Sequence, residues 1–378
     1  MASIGCDDSL SDRAILYAGK IESPVVIGPL DMSVAESATP MSIQSLSDSL
    51  IAITDSYEPV VALLSARTGK VVFSYNHKGR GPGELQSIGP LQLLSDSTIL
   101  IPDPMQGRAI IWNFLSNSTS TTTLFNPAVP RNVIPSLVGY WGSHKWVMRN
   151  QPMAQVQGAA AQLFSTSSAL VLTDSVSSKP LMQLPARALV AASTPSGVSR
   201  AGLGALSPAA FAMCDSGFIN IDTSGVTRFS TTGTPLATHR HRLGWVPLQP
   251  AAKKAYINAA VSGVNDSRTR SEISAHLESQ ATRLNQLLVG FYIAPDGTVW
   301  MRSRTEKESA IVQVDDAGAP SRSIAVPQGI AVAQVGVGYF IGMRLSADAE
   351  TPSFTLFSFT DDSARKRTRW RCGKQHDY

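Results

Sequence analysis

The chain is poor in charge, in aromatics and in cysteine, and each shortage removes a class of protein. Of its 378 residues only 16% are charged and 7% aromatic, while 43% are hydrophobic. That balance excludes a disordered chain and supplies apolar material for a large core. The three cysteines, Cys6, Cys214 and Cys372, make an odd number with no metal-ligand spacing. Cys214 closes the apolar run Phe211-Ala212-Met213-Cys214 and reads as a small buried residue. Six histidines also form no metal spacing; His239 and His241 alternate on one strand and read as a surface pair. No stretch of 18 uninterrupted apolar residues exists for a membrane-spanning helix, and no nucleophile elbow exists for a serine hydrolase.

Basic charge is local. Residues 361–378 carry Arg365, Lys366, Arg367, Arg369, Arg371 and Lys374 against Asp361, Asp362 and Asp377, so most of the net charge of +4 sits in this segment. A nucleic-acid surface needs basic residues spread over a folded face with aromatics between them, and that pattern is missing, so no nucleic-acid partner is expected. At the other end, Ser3-Ile4-Gly5-Cys6 has the form of a bacterial lipoprotein cleavage site, without a hydrophobic segment before it. Lipidation at Cys6 is the expectation drawn from it.

What the chain has in plenty is Ser, Thr, Gly and Pro between short β-branched runs, the pattern of many strands joined by turns. One strand type recurs six times and ends in a polar residue. The copies are Leu50–Asp55, Ile99–Asp103, Trp146–Asn150, Ile219–Asp222, Val299–Ser303 and Phe340–Arg344. Several follow an Asp-Ser or Asp-Gly turn, at 48, 96, 215 and 296, suited to tight hairpins. Three copies continue into further strands, giving a four-stranded antiparallel meander, the propeller blade.

The expected fold is therefore all-β, a six-bladed β-propeller over residues 13–360, between an N-terminal segment 1–12 and a disordered basic tail 361–378. Two long intervals between copies hold insertions. One is irregular and Ala/Ser/Gln/Pro-rich, over 151–210; the other is helical, over about 250–288, with Ile273, Leu277 and Leu284 on one face and Ser271 capping its start. The sixth blade lacks an outermost strand, whereas surplus apolar strands, Ala14–Tyr17 and Val25–Ile27, precede the first. Pairing an N-terminal strand into the last blade closes the ring.

Between the first two copies lies Gly79-Arg80-Gly81-Pro82-Gly83-Glu84, followed by Asp103 and Arg108; Asp296-Gly297-Thr298-Val299-Trp300 comes later. Three glycines around a proline make a sharp turn rather than a phosphate loop, since no helix and no Lys-Ser/Thr ending follow. Arg80 and Glu84 are placed to pair across it. These motifs resemble the bacterial six-bladed β-propeller family related to the NHL-repeat proteins, over about residues 40–360. Arg149-Asn150 departs from the family pattern, where Asp stands. Members are often extracytoplasmic lipoproteins, which the resemblance implies for Cys6 and for a periplasmic or outer-envelope location.

Equivalent residues of six blades form a ring, so the strand ends are the candidate ligand contacts at the channel mouth: Arg80, Glu84, Asp103, Arg149, Asn150, Asp222, Arg302 and Arg344. Asp55, Asp103, Asn150 and Asp222 are also the candidate ligands for a calcium ion, as in the six-bladed lactonases and lyases. The competing reading of these aspartates is structural, as acceptors for turn N–H groups or partners of an Arg such as Arg108. Trp141, Trp146, Trp245 and Trp300 read as blade packing. The expectation is a monomeric binding or scaffold protein for a protein, peptide or small ligand, with no cofactor and no membrane contact beyond a lipid anchor. The alternative is a calcium-dependent lactonase or lyase.

Overall fold

The computed structural model describes residues 21–32, 42–55, 59–123, 133–141, 145–152, 162–173, 177–184, 187–194, 197–202, 209–214, 217–222 and 225–240. It also describes 250, 254, 257–258, 261, 267–279, 290–304, 309–315, 320–344 and 353–359. The segments 1–12 and 361–378, with Cys6, lie outside these residues.

Six antiparallel four-stranded sheets follow one another as the blades of a propeller. Blade one spans 42–76, blade two 92–123, blade three 133–183, blade four 209–240 and blade five 291–326. Blade six takes three strands from 331–358 and its outermost from the N-terminus, where Val25–Pro29 pairs antiparallel with Ser353–Ser358. Closure by an N-terminal strand is thus as the strand inventory predicts. The closure reaches further than expected. Ile21–Glu22 adds a fifth, parallel strand to blade five, and the Asp31 N–H bonds Gly69 in blade one at 2.8 Å. Ala14–Tyr17 lies outside the described residues.

That the sheets form a ring follows from the core. Six hydrophobic clusters each join one pair of neighbouring blades. Leu63 meets Trp112 across seam one–two and Leu100 meets Met148 across two–three. Leu170 meets Phe218 across three–four, and Ile219 meets Met301 across four–five. Trp300 meets Phe340 across five–six, and Ile341 meets Ile51 across six–one. Six blades and six seams close the ring. Each buried Leu or Ile contributes roughly 1.5–3 kcal/mol. The recurrent strand of the sequence is the second of each blade, and it reads as one apolar run because both of its faces pack against neighbouring blades: Ile51 to Thr54 and Ile99 to Asp103 are all buried. Most outer strands are largely exposed, as in Ser118–Thr123, whereas Pro320–Val326 of blade five is partly buried and carries the added strand Ile21–Glu22.

The insertions differ from expectation. The stretch 151–210 is not irregular: Ala169–Thr173 and Ser178–Gln183 complete blade three, and Gln162–Thr166, Arg187–Thr194 and Gly197–Gly202 form a separate three-stranded sheet. Small and polar residues hid these strands from the apolar-run criterion. Helix α1 (Ser267–Ser279) starts four residues before Ser271, which therefore lies inside it and caps nothing. Ile273 and Leu277 are buried as its periodicity predicts, and α1 lies against Arg187–Thr194, so the two insertions meet. Leu284 is outside the described residues. Cys214 is buried but not a free thiol: it is disulfide-bonded, to a partner outside the described residues.

Candidate functional site

The first strand of each blade lines the channel. There the fold encloses a cavity of about 300 Å³ bordered by all six blades, with Gln44, Leu91, Val138, Phe211, Ile293 and Gln334 each coming from a different one. No ionisable side chain borders it among the described residues. Its polar side chains are Gln44, Gln92, Gln334 and Ser45.

The three glutamines are equivalent. Gln44, Gln92 and Gln334 pair with Ala52, Leu100 and Ile341, each three residues before Asp55, Asp103 or Arg344. Two of them clasp the next blade with both ends of the carboxamide. Gln44 donates to the Leu91 carbonyl at 2.6 Å and accepts from the Leu91 N–H at 3.0 Å. Gln92 donates to the Tyr140 carbonyl at 3.0 Å and accepts from the Tyr140 N–H at 2.5 Å. These bonds satisfy main-chain groups that no sheet neighbour reaches. At the equivalent place in blade three stands Gly139, where a Cβ would run into the side chain of Met213.

Two other seams use tyrosines. Tyr339 donates to the Ser47 carbonyl at 3.2 Å and meets Ser45 Oγ at 2.5 Å; Tyr292 donates to the Val332 carbonyl at 3.0 Å. Burial pushes both phenols above their ordinary pKa, Tyr339 most strongly, so both stay neutral donors. Because Tyr339 closes the seam between blades six and one, Gln334 has no clasp to make. Its half-buried carboxamide has no hydrogen-bond partner among the described residues and borders the cavity.

The strand-end residues lie elsewhere. Asp55, Asp103, Arg149, Asn150, Asp222, Arg302 and Arg344 sit on or just after the second strands, one strand out from the channel wall, while Arg80 and Glu84 lie in the loop between blades one and two. The cavity lies at the level of the middle and N-terminal part of those strands, since its wall residues pair with Ile51 and Ala52, Leu100, Phe218 to Asn220, Val299 and Ile341. None of Arg80, Glu84, Asp103, Arg149, Asn150, Asp222, Arg302 and Arg344 borders the cavity, and neither does Asp55.

Asp103 is fully buried and accepts from the Gln86 N–H at 2.9 Å, the Ser87 N–H at 3.2 Å, Ser87 Oγ at 2.7 Å and Gln106 Nε2 at 2.7 Å. Arg108 does not pair with it. It donates instead to the Gly81 and Glu84 carbonyls at 2.7 and 2.6 Å, and Gln106 donates to Gly79 at 3.0 Å. One carboxylate thus holds N–H groups of the loop 79–87 and one guanidinium holds its carbonyls, while the Tyr75 hydroxyl caps Gly83.

Glu84 turns onto the Gly81 N–H at 2.6 Å rather than onto Arg80, which is exposed. Gly79, at φ +153°, leaves the space that the Glu84 carboxylate fills. Asp222 accepts from Asn220 Nδ2 at 3.0 Å, and Arg302 bridges to blade six through the Ile330 carbonyl at 3.1 Å. Arg149 and Asn150 are half-buried, Asp55 is buried and Arg344 is exposed. Of the eight, only Arg80, Glu84 and Asp103 share one loop system.

A calcium ion takes six to eight oxygen ligands, carboxylates prominent among them. The described residues of the cavity wall offer no carboxylate, and no three His, Cys, Asp or Glu side chains cluster among the described residues. The channel cavity therefore does not fit calcium.

No family model matches the chain, and no curated protein matches it by sequence. Solved structures do match over nearly its whole length. A member of a domain-of-unknown-function family from Bacteroides vulgatus aligns with TM-score 0.51 and 8% identity, covering 90% of this chain and 97% of that one. The calcium-binding protein regucalcin from Agrobacterium tumefaciens aligns with TM-score 0.41 and 11% identity, over 90% and 97%. A streptogramin B lyase aligns at 0.37 and 10%, over 87% and 95%. At such identities the likeness extends to the fold alone.

Proposed function

We propose that this propeller is a binding protein that takes a small uncharged molecule into its central channel, in an oxidising compartment outside the cytoplasm. One observation carries the ligand class: a cavity bordered by every blade is lined by apolar side chains together with carboxamide and hydroxyl groups, and by no ionisable side chain among the described residues. A charged ligand entering it loses hydration and gains no counter-charge, which costs several kcal/mol; a neutral one loses little. The compartment is supported by the disulfide at Cys214, a bond that persists where thiols are not kept reduced, and by the lipoprotein-like Ser3-Ile4-Gly5-Cys6.

Saturation-transfer NMR with a mixed set of neutral and charged small molecules tests the reading. Neutral members should bind the wild type and lose binding in Ala212→Phe, which fills the cavity from blade four. Binding confined to charged members, or neutral binding indifferent to Ala212→Phe in a protein that still unfolds cooperatively, would contradict it.

A further inference from the structure

Resting on the channel as a ligand site, we infer that Gln334 is its specificity-determining residue and that the ligand carries a neutral amide-like group, a hydrogen-bond donor and acceptor side by side, on an apolar body. The inference comes from a broken symmetry. Three equivalent glutamines face the channel in blades six, one and two. Gln44 and Gln92 each close both ends of the carboxamide on a main-chain N–H and C=O of the next blade. Gln334 occupies the same register, yet the seam it would close is already held by Tyr339 to Ser45 and Ser47. Its carboxamide is left presenting one donor and one acceptor to the cavity.

The chemistry that satisfies Gln44 and Gln92 shows what satisfies Gln334. Both partners are peptide groups, accepting at C=O and donating at N–H. An amide in a ligand offers the same pair. The rest of the ligand lies against Leu91, Val138, Phe211, Met213 and Ile293, which calls for an apolar body. A carboxylate duplicates the acceptor and brings an unpaired charge, and an ammonium has no acceptor at all.

The test uses three probes of one shape on the full chain: 3-phenylpropionamide, 3-phenylpropionate and 3-phenylpropylammonium. Dissociation constants from NMR titration should rank the amide at least about tenfold tighter than either ion, the effect of one well-made hydrogen bond and an avoided charge. Gln334→Leu should weaken the amide roughly tenfold. Gln334→Glu, nearly the same shape, should reverse the order and favour the ammonium, a gain that misfolding cannot produce. Equal affinity for the amide in wild type and Gln334→Leu overturns the inference, and so does a Gln334→Glu protein that still prefers the amide. If neutral probes other than the amide bind in an Ala212→Phe-sensitive way while Gln334 variants change nothing, the inference on Gln334 falls and the channel site stands. If Ala212→Phe leaves every binder unaffected, the channel site falls first.

Discussion

The two ends of the second strands show opposite uses of polar side chains. At their C-terminal end, blade two holds a buried carboxylate and a half-buried guanidinium, and both bond the scaffold. Asp103 holds loop N–H groups and Arg108 holds loop carbonyls. At the level of their middle and N-terminal part, the described channel wall has no ionisable side chain, and its polar side chains are neutral amides and a hydroxyl. In blade two charge therefore marks where the backbone needs partners, whereas Gln334 borders the channel with no hydrogen-bond partner among the described residues.

The sharpest way to break this contrast is at Asp103. Replacing it by Ala strands buried N–H groups of Gln86 and Ser87, so chemical denaturation should show a loss of about 3 kcal/mol, with neutral-ligand affinity unchanged at temperatures where the protein is folded. A stable Asp103→Ala protein that has lost ligand would assign the charged end to binding instead.

A smaller and paired effect separates the glutamines. Gln92→Ala removes a two-bond clasp and leaves the Tyr140 main chain unpaired, which should cost about 2 kcal/mol. Gln334→Ala should cost under about 0.5 kcal/mol, because no described residue bonds its carboxamide. Equal losses at the two positions would contradict the division between clasp and ligand contact.

The weakest expected signal is alkaline. Burial raises the Tyr339 pKa, so the stability tied to its neutral form is fully present below the ordinary phenol value of about 10 and is lost as pH climbs above it. Unfolding free energy should fall above pH about 10 and fall less steeply in Tyr339→Phe, at a neutral-pH cost of about 1 kcal/mol for the lost bonds to Ser45 and Ser47. Identical alkaline slopes would mean that the seam opens by another route.

Much of the fold is legible in the sequence, and the reason is physical. Second strands are buried on both faces, so Leu50–Thr54, Ile99–Asp103 and Tyr339–Arg344 stand out as apolar runs, and six of them fix six blades. The missing outer strand of blade six and the surplus Val25–Ile27 likewise announce the closure. What stays hidden are strands without apolar runs, such as Ser178–Gln183 and Gly197–Gly202, whose place depends on pairing rather than on local pattern.

The site is hidden for a related reason. First strands are short and mixed, as in Ser42–Ser45 and Gln92–Ser95, and they carry the channel wall. A signal does exist: Gln44 and Gln92 precede Asp55 and Asp103 by the same distance, and Gln334 stands one residue closer to Arg344. That repeat marks all three as facing the channel, but only the folded ring shows that Tyr339 has taken over the third seam. The loop 79–87 was legible as a sharp turn from its glycines. Its division of labour between Asp103 and Arg108 was not, because either residue alone suggests an ion pair.

The most direct test of an uncharged ligand site is a crystal structure of the full chain grown with 3-phenylpropionamide. Density for the amide in the channel, its carboxamide within hydrogen-bond distance of Gln334 and its ring against Phe211 and Ile293, is the predicted result. Density beside Asp55, Asp103, Asp222 or Arg344 with an empty channel, or no bound amide at all, would contradict it.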